Sequence, residues 1–167
     1  VMCFPGINNV PTIQEIKCEA IIFRELIDKC DKEKTELIRS DFPVMSCKLS
    51  SMLLAFHFLK IWPDIKIIGI SAAAKYYRNI THYWLEIDDL VIDITGDQYN
   101  ILEDCHLNKS IISQRPFQKV HIANKNTSYL YKIFKVRESE IFVFGFPEIG
   151  DDFIEQMKLS HIQLLEQ

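Results

Sequence analysis

The stretch His82-Tyr83-Trp84-Leu85-Glu86-Ile87-Asp88-Asp89-Leu90-Val91-Ile92-Asp93-Ile94-Thr95 decides the fold. Two runs rich in β-branched and aromatic residues flank Asp88-Asp89, the composition of two strands joined by a tight turn. With those aspartates as a two-residue turn, Ile87 pairs with Leu90, Trp84 lies opposite Asp93, and His82 opposite Thr95. Side chains alternate along a strand, so His82, Trp84, Glu86, Val91, Asp93 and Thr95 then share one face. His82 and Asp93 become diagonal neighbours on it. A slip of one residue would put them on opposite faces. An aspartate among Val91, Ile92 and Ile94 is expensive to bury without a partner, and His82 is the partner this register supplies.

Working upstream, residues 65–70 form a nearly continuous β-branched run, as expected of a strand buried on both faces. A helix is predicted after Pro43, with Ser46 as its N-cap and Leu49, Met52, Leu53 and Phe56 as its apolar stripe. It ends near Trp62-Pro63-Asp64, and His57 falls off the stripe as a helix-face residue. An earlier helix opens at Thr12 and buries Ile16, Ala20, Phe23, Ile27 and Cys30, its pattern running on through Lys34. Downstream, residues 119–123 and 141–146 read as strands. Gly150-Asp151-Asp152 introduces a last helix through Leu165, whose Phe153, Met157, His161 and Leu164 pack on the sheet or on a partner helix. No repeat or linker divides residues 1–167, so one domain is expected. Helices first and mostly strands after suggest α+β with an antiparallel sheet.

Composition narrows the classes. The 167 residues are long enough for one sizeable core, and 48% hydrophobic with 25% charged is ordinary for a globular chain. A formal charge of −4 argues against a nucleic-acid partner, because phosphate binding needs a cationic surface. No apolar run reaches the roughly 20 residues that span a bilayer, so no membrane partner is expected. Cys3, Cys18, Cys30, Cys47 and Cys105 are odd in number, widely spaced and free of any C-x-x-C, which reads as reduced thiols in a cytoplasmic protein. No signal-peptide pattern opens the chain. Cys105-His106 is adjacent rather than spaced for a metal, so neither metal nor cofactor is expected.

The chemistry rests on Cys47 at the start of its helix. Unpaired amides and the positive end of the helix dipole favour an anion there, which suits a nucleophilic thiolate and the oxyanion that its attack creates. His82, oriented by Asp93, is the base within reach of such a thiol.

The stretch from Cys47 to Thr95 resembles the core of the transglutaminase-like superfamily of papain-like cysteine enzymes. The elements read C47-KLSSMLLAFHFLKIWPDIKIIGI, then H82-Y-W-L-E, then I92-D-I-T95, in the order Cys, His, Asp with gaps of 35 and 11 residues. The resemblance covers about 50 residues. It implies a papain-like α+β core with the nucleophile helix packed on an antiparallel sheet, and a Cys47-His82-Asp93 triad. Ser46 stands where many members carry Gly or Trp, and no Gln lies between Lys34 and Cys47. Ser46 and Gln98 are therefore the candidates for a second oxyanion donor, and Trp84 for shielding the His82–Asp93 pair. The expected activity is a cysteine-dependent acyl transfer through a thioester. The leading reading is a hydrolase on amide bonds: a protease, amidase or glutamine deamidase acting on a protein or peptide side-chain amide. It would work in the cytoplasm or, as a secreted effector, inside another cell. A transglutaminase, an N-acyltransferase of the arylamine type, or a catalytically silent binding module of the same fold are the alternatives.

Overall fold

The computed structural model describes residues 10–76 and 79–167. Thr12 Oγ1 accepts from the Glu15 N–H, and the Glu15 carboxylate accepts from the Thr12 N–H. This reciprocal cap satisfies two amides that a helix start leaves unpaired. Helix α1 (Ile13–Lys29) buries Ile16, Ala20, Phe23 and Ile27 as predicted, and Arg24 as well. It stops at Lys29 rather than Lys34. The Asp31 carboxylate accepts from the Glu33 N–H and the Thr35 hydroxyl donates to the Asp31 carbonyl, so local turn bonds replace the helical ones.

Helix α2 spans Cys47–Ile61. Its predicted stripe understates its burial: residues 50–58 are all buried, His57 among them, so the helix runs through the core. The sheet consists of β1 (Lys66–Ala74), β2 (Thr81–Ile87), β3 (Leu90–Asp93), β4 (His121–Asn124) and β5 (Phe134–Val143). Its order is β4-β3-β2-β1-β5, with every neighbouring pair antiparallel. The fold is mixed α+β.

Several boundaries differ from those read in the sequence. The run predicted at 65–70 continues through three alanines to Ala74, and the strand predicted at 119–123 is shifted to His121–Asn124. The strand predicted at 141–146 begins instead at Phe134, because β5 is an edge strand whose exposed charges hide its alternation. The short helices α3 (Gln98–Ile101), α4 (Lys109–Ile112) and α5 (Tyr129–Ile133) were not expected. Helix α6 (Asp151–Leu165) buries Met157, His161 and Leu164, and it packs chiefly on α2 and α1 rather than on the sheet.

Both faces of the sheet are covered. Helices α1, α2 and α6 pack on Ile67, Tyr83, Leu85 and Ile92. On the other face Ile70, Trp84 and Val91 pack with Tyr99, Phe117, Leu130 and Phe134. Tyr83 lies across Gly69 so closely that a Cβ there would meet its hydroxyl at 1.9 Å, and only glycine fits. Cys18 is disulfide-bonded, which corrects the expectation of thiols throughout. Cys3 lies outside the described residues, and Cys30, Cys47 and Cys105 are free. Among the described residues no helix is long and apolar enough to cross a membrane.

Candidate active site

The β2–β3 hairpin has the predicted register: Ile87 pairs with Leu90, Glu86 with Val91 and Leu85 with Ile92. Asp88 makes the turn at φ 51°, a left-handed conformation that aspartate tolerates. The ladder goes no further, so the expected pairs Trp84/Asp93 and His82/Thr95 do not form. The Thr95 N–H turns back onto Asp93 Oδ1 at 3.0 Å, and this local bond takes the chain out of the sheet. On the other edge of β3, Asp93 pairs with His121 of β4.

His82 and Asp93 share a face as the alternation requires. His82 Nε2 donates to Asp93 Oδ2 at 2.7 Å, and neither side chain has any exposure. Phe134 stacks on the imidazole at 5.4 Å, Tyr99 meets it edge-on at 5.3 Å, and Trp84 lies 6.2 Å away. Burial alone would drive the proton off His82. The charge and hydrogen bond of Asp93 override burial, a hydrogen bond with Cys47 adds to them, and the pKa rises to about 10. Burial likewise acts to raise Asp93, but the His82 charge and the Thr95 N–H hold it below the usual carboxylate range.

Cys47 is the first residue of α2 and is half-buried, the one member of the three with access to solvent. The thiol lies within electrostatic reach of Tyr83 on one face of the sheet and Tyr99 on the other. The head of α2 therefore meets His82, with which the thiol shares a hydrogen bond.

The auxiliary residues separate. Gln98, buried at the start of α3, brings its amide nitrogen to 3.4 Å from His82 Nδ1, the ring nitrogen not used by Asp93. Ser46 does not cap α2. Its hydroxyl donates backwards to the Val44 carbonyl at 3.1 Å, which leaves the first-turn amides beside Cys47 without a side-chain acceptor. Trp84 is core: its indole N–H donates to Glu86 Oε2 at 3.0 Å and is not free for an oxyanion, although the ring does screen His82.

Two supporting residues were missed in the sequence. Arg24, 2% exposed, donates to the Ile94 carbonyl at 2.6 Å, to both Asp97 oxygens at 2.8 and 2.7 Å, and to Asp28 at 2.9 Å. It also lies 4.7 Å over the Phe42 ring. One guanidinium thus ties α1 to the loop carrying Thr95 and Gln98, and to the segment that leads into Cys47. Its position four residues after Ala20, beside Phe23 on the buried stripe, was the available signal. Gly96 is the second: a Cβ there would stand 2.9 Å from the Tyr129 hydroxyl and 3.1 Å from Asp93 Oδ2. No sequence pattern marks that approach.

Two clefts lie away from these groups. One of about 470 Å³ is bounded by Val10, Ile13, Asp64, Ile87 and Asp89 at the far end of the hairpin. One of about 480 Å³ is bounded by Phe56, Lys60, Phe144, Phe146 and Lys158 at the other end of α2. Among the described residues, the exposed Glu103, Cys105 and His106 come within reach of one metal ion on a single turn, which includes the Cys105-His106 pair set aside on its spacing. In comparison with known proteins, the chain matches no family model, no curated protein and no solved structure.

Proposed function

We propose that this chain is a thiol acyl-transfer enzyme with a papain-like, transglutaminase-like core, in which Cys47 is the nucleophile, His82 the general base and acid, and Asp93 the residue that orients His82. The observation that carries the reading is a fully buried imidazole held between a fully buried carboxylate and a half-exposed thiol at a helix start. Asp93 accepts a hydrogen bond from Nε2–H and so leaves Nδ1 to serve the thiol, the division of roles that nucleophilic catalysis needs.

In the proposed reaction the Cys47 thiol gives its proton to His82 Nδ1, and the sulfur attacks an amide carbonyl carbon. The carbonyl electrons move to oxygen, where the uncapped first-turn amides of α2 and the Gln98 amide can donate to it. The C–N bond then breaks as His82 Nδ1–H protonates the departing nitrogen, leaving a thioester. Water, with His82 accepting its proton, attacks the thioester, and the thiolate leaves. With water as acceptor the protein is a protease, amidase or glutamine deamidase on protein or peptide amides; an amine in its place gives a transglutaminase or N-acyltransferase.

Mass-spectrometric mapping of cysteine alkylation in wild type and His82→Ala tests this. Cys47 is expected to label selectively with iodoacetamide below about pH 7, and the selectivity is expected to vanish in the variant. Equal, slow labelling of Cys30, Cys47 and Cys105 in the wild type would overturn the catalytic reading in favour of a silent binding module.

A further inference from the structure

Strand β5 is irregular beside the candidate site. Val136 pairs with Ala72 and Glu138 with Ser71, so Arg137 is an extra residue with no partner on β1. Such a bulge bends the strand and re-aims a side chain. A cleft of about 300 Å³ opens there, lined by Ala73, Ala74, Lys75, Lys135, Val136 and Arg137. The alanines leave the room, and three cations surround it. None of Lys75, Lys135 and Arg137 makes an ion pair or a side-chain hydrogen bond among the described residues, although the chain carries a net charge of −4. The cleft lies one strand over from the candidate site, because its Ala73 pairs with Thr81, the residue before His82.

Charges on an edge strand also discourage pairing with another chain. Either sign serves that purpose, however, and it needs neither a cleft nor Lys75, which lies beyond the end of β1. Three like charges that line one cleft and make no ion pair repel one another, and an anion seated among them relieves the repulsion.

We infer that the Lys75–Lys135–Arg137 cleft is an anion-binding subsite that seats acidic side chains flanking the amide at which Cys47 acts. The inference rests on the acyl-transfer reading for its substrate, while binding of the anion is measurable without it. It makes the substrate class an acidic peptide segment, and Arg137 supplies the planar fork that pairs with a carboxylate.

The test uses acetyl-Glu-Glu-Glu-amide and acetyl-Gln-Gln-Gln-amide as probes, with binding followed by NMR titration and Cys47 alkylation by iodoacetamide followed in parallel. The glutamate peptide is expected to bind wild type, to weaken as salt is raised, and to slow Cys47 alkylation saturably. Binding to K75Q/K135Q/R137Q is expected to be about tenfold weaker. The three single variants should each give part of that loss, which guards against a misfolded triple variant, and K158Q, far from the cleft, should bind like wild type. Equal binding of the two peptides, no binding of the glutamate peptide, or binding indifferent to all the cleft variants would overturn the subsite. If Cys47 proves inert while the glutamate peptide still distinguishes wild type from the variants, the subsite stands and the enzymatic reading falls. His82-dependent alkylation with neither binding nor protection sinks the subsite alone.

Discussion

Two buried histidine clusters in this molecule have been driven in opposite directions. At the sheet margin His82 faces a fully buried Asp93, and its pKa rises to about 10. Between α1, α2 and α6, His57 Nε2 stands 3.0 Å from Glu19, and His57 Nδ1 stands 3.0 Å from His161 Nε2. There burial wins. His57 is lowered despite Glu19, and His161 is lowered to about 4 by burial and by the neighbouring His57 and Lys60. Burial is common to both clusters. What differs is whether the imidazole meets a carboxylate as buried as itself or another imidazole, with Glu19 partly open to water. Burial of a histidine therefore does not by itself mark a site, and the proposed site rests on the buried carboxylate and the thiol that flank His82.

Breaking the first cluster should give the largest effect. Asp93→Asn removes the charge that holds the imidazolium. It is expected to slow Cys47 alkylation below about pH 7 by about 10²- to 10⁴-fold. Glu19→Gln, which alters the second cluster, should leave that rate unchanged. A comparable loss in both variants would mean that alkylation reports general loosening rather than the His82–Asp93 pair.

Arg24→Met should come next. It leaves Asp97 and Asp28 without their shared cation and the Ile94 carbonyl without its donor. Breaking a buried ion pair from one side costs about 3–5 kcal/mol, read as a fall in the urea midpoint at unchanged slope. Arg24→Lys should recover only part of it, because an ammonium cannot span both Asp97 oxygens. A loss below about 1 kcal/mol would show that the loop holds its shape without the clamp.

Gly96→Ala places a methyl group against Tyr129 and Asp93, so an overpacking cost of about 1–3 kcal/mol is expected together with slower Cys47 alkylation. The Tyr129 hydroxyl is buried without a hydrogen-bond partner, so Tyr129→Phe should be neutral or slightly stabilising. Adding that change to Gly96→Ala should restore part of the lost stability. No recovery in the double variant would put the strain on Asp93 alone.

The hairpin was legible because a period-two pattern and a two-residue turn specify a register, and the register fixes which side chains share a face. The meeting of His82 with Asp93 followed from it. The extent of the ladder did not, since the bond from the Thr95 N–H to Asp93 that ends it is a local choice with no periodic signature. Gln98 could be singled out only as one of two polar candidates. Its place beside His82 depends on the unforeseen turn into α3, and Ser46, the other candidate, spends its hydroxyl on Val44. Arg24 broke the rule that charged residues face water, and His57 lay off the predicted apolar stripe of its helix. Both are buried because partners distant in sequence, Asp97 and His161, satisfy them.

The smallest expected effect is one of pH, and its sign separates the two clusters. His82 is raised, so its contribution to stability is complete below about 6.5, the ordinary histidine value, and is lost as pH rises through about 10. His161 is lowered to about 4, so between that value and about 6.5 the unfolded chain binds a proton that the folded chain refuses. Stability from this cluster therefore falls as pH drops through that window. The hydrogen bonding gives the reason. With His57 Nε2–H donated to Glu19, His57 Nδ1 is an acceptor and His161 Nε2–H its donor; a proton on each ring would set N–H against N–H at 3.0 Å. Urea midpoints between about pH 5 and pH 7 should decline toward acid in wild type and decline less in His161→Phe, while the alkaline limb set by His82 stays the same in both. An acid limb of equal slope in the variant would assign the loss to the other lowered histidines, His57 and His121, and leave His161 as packing alone.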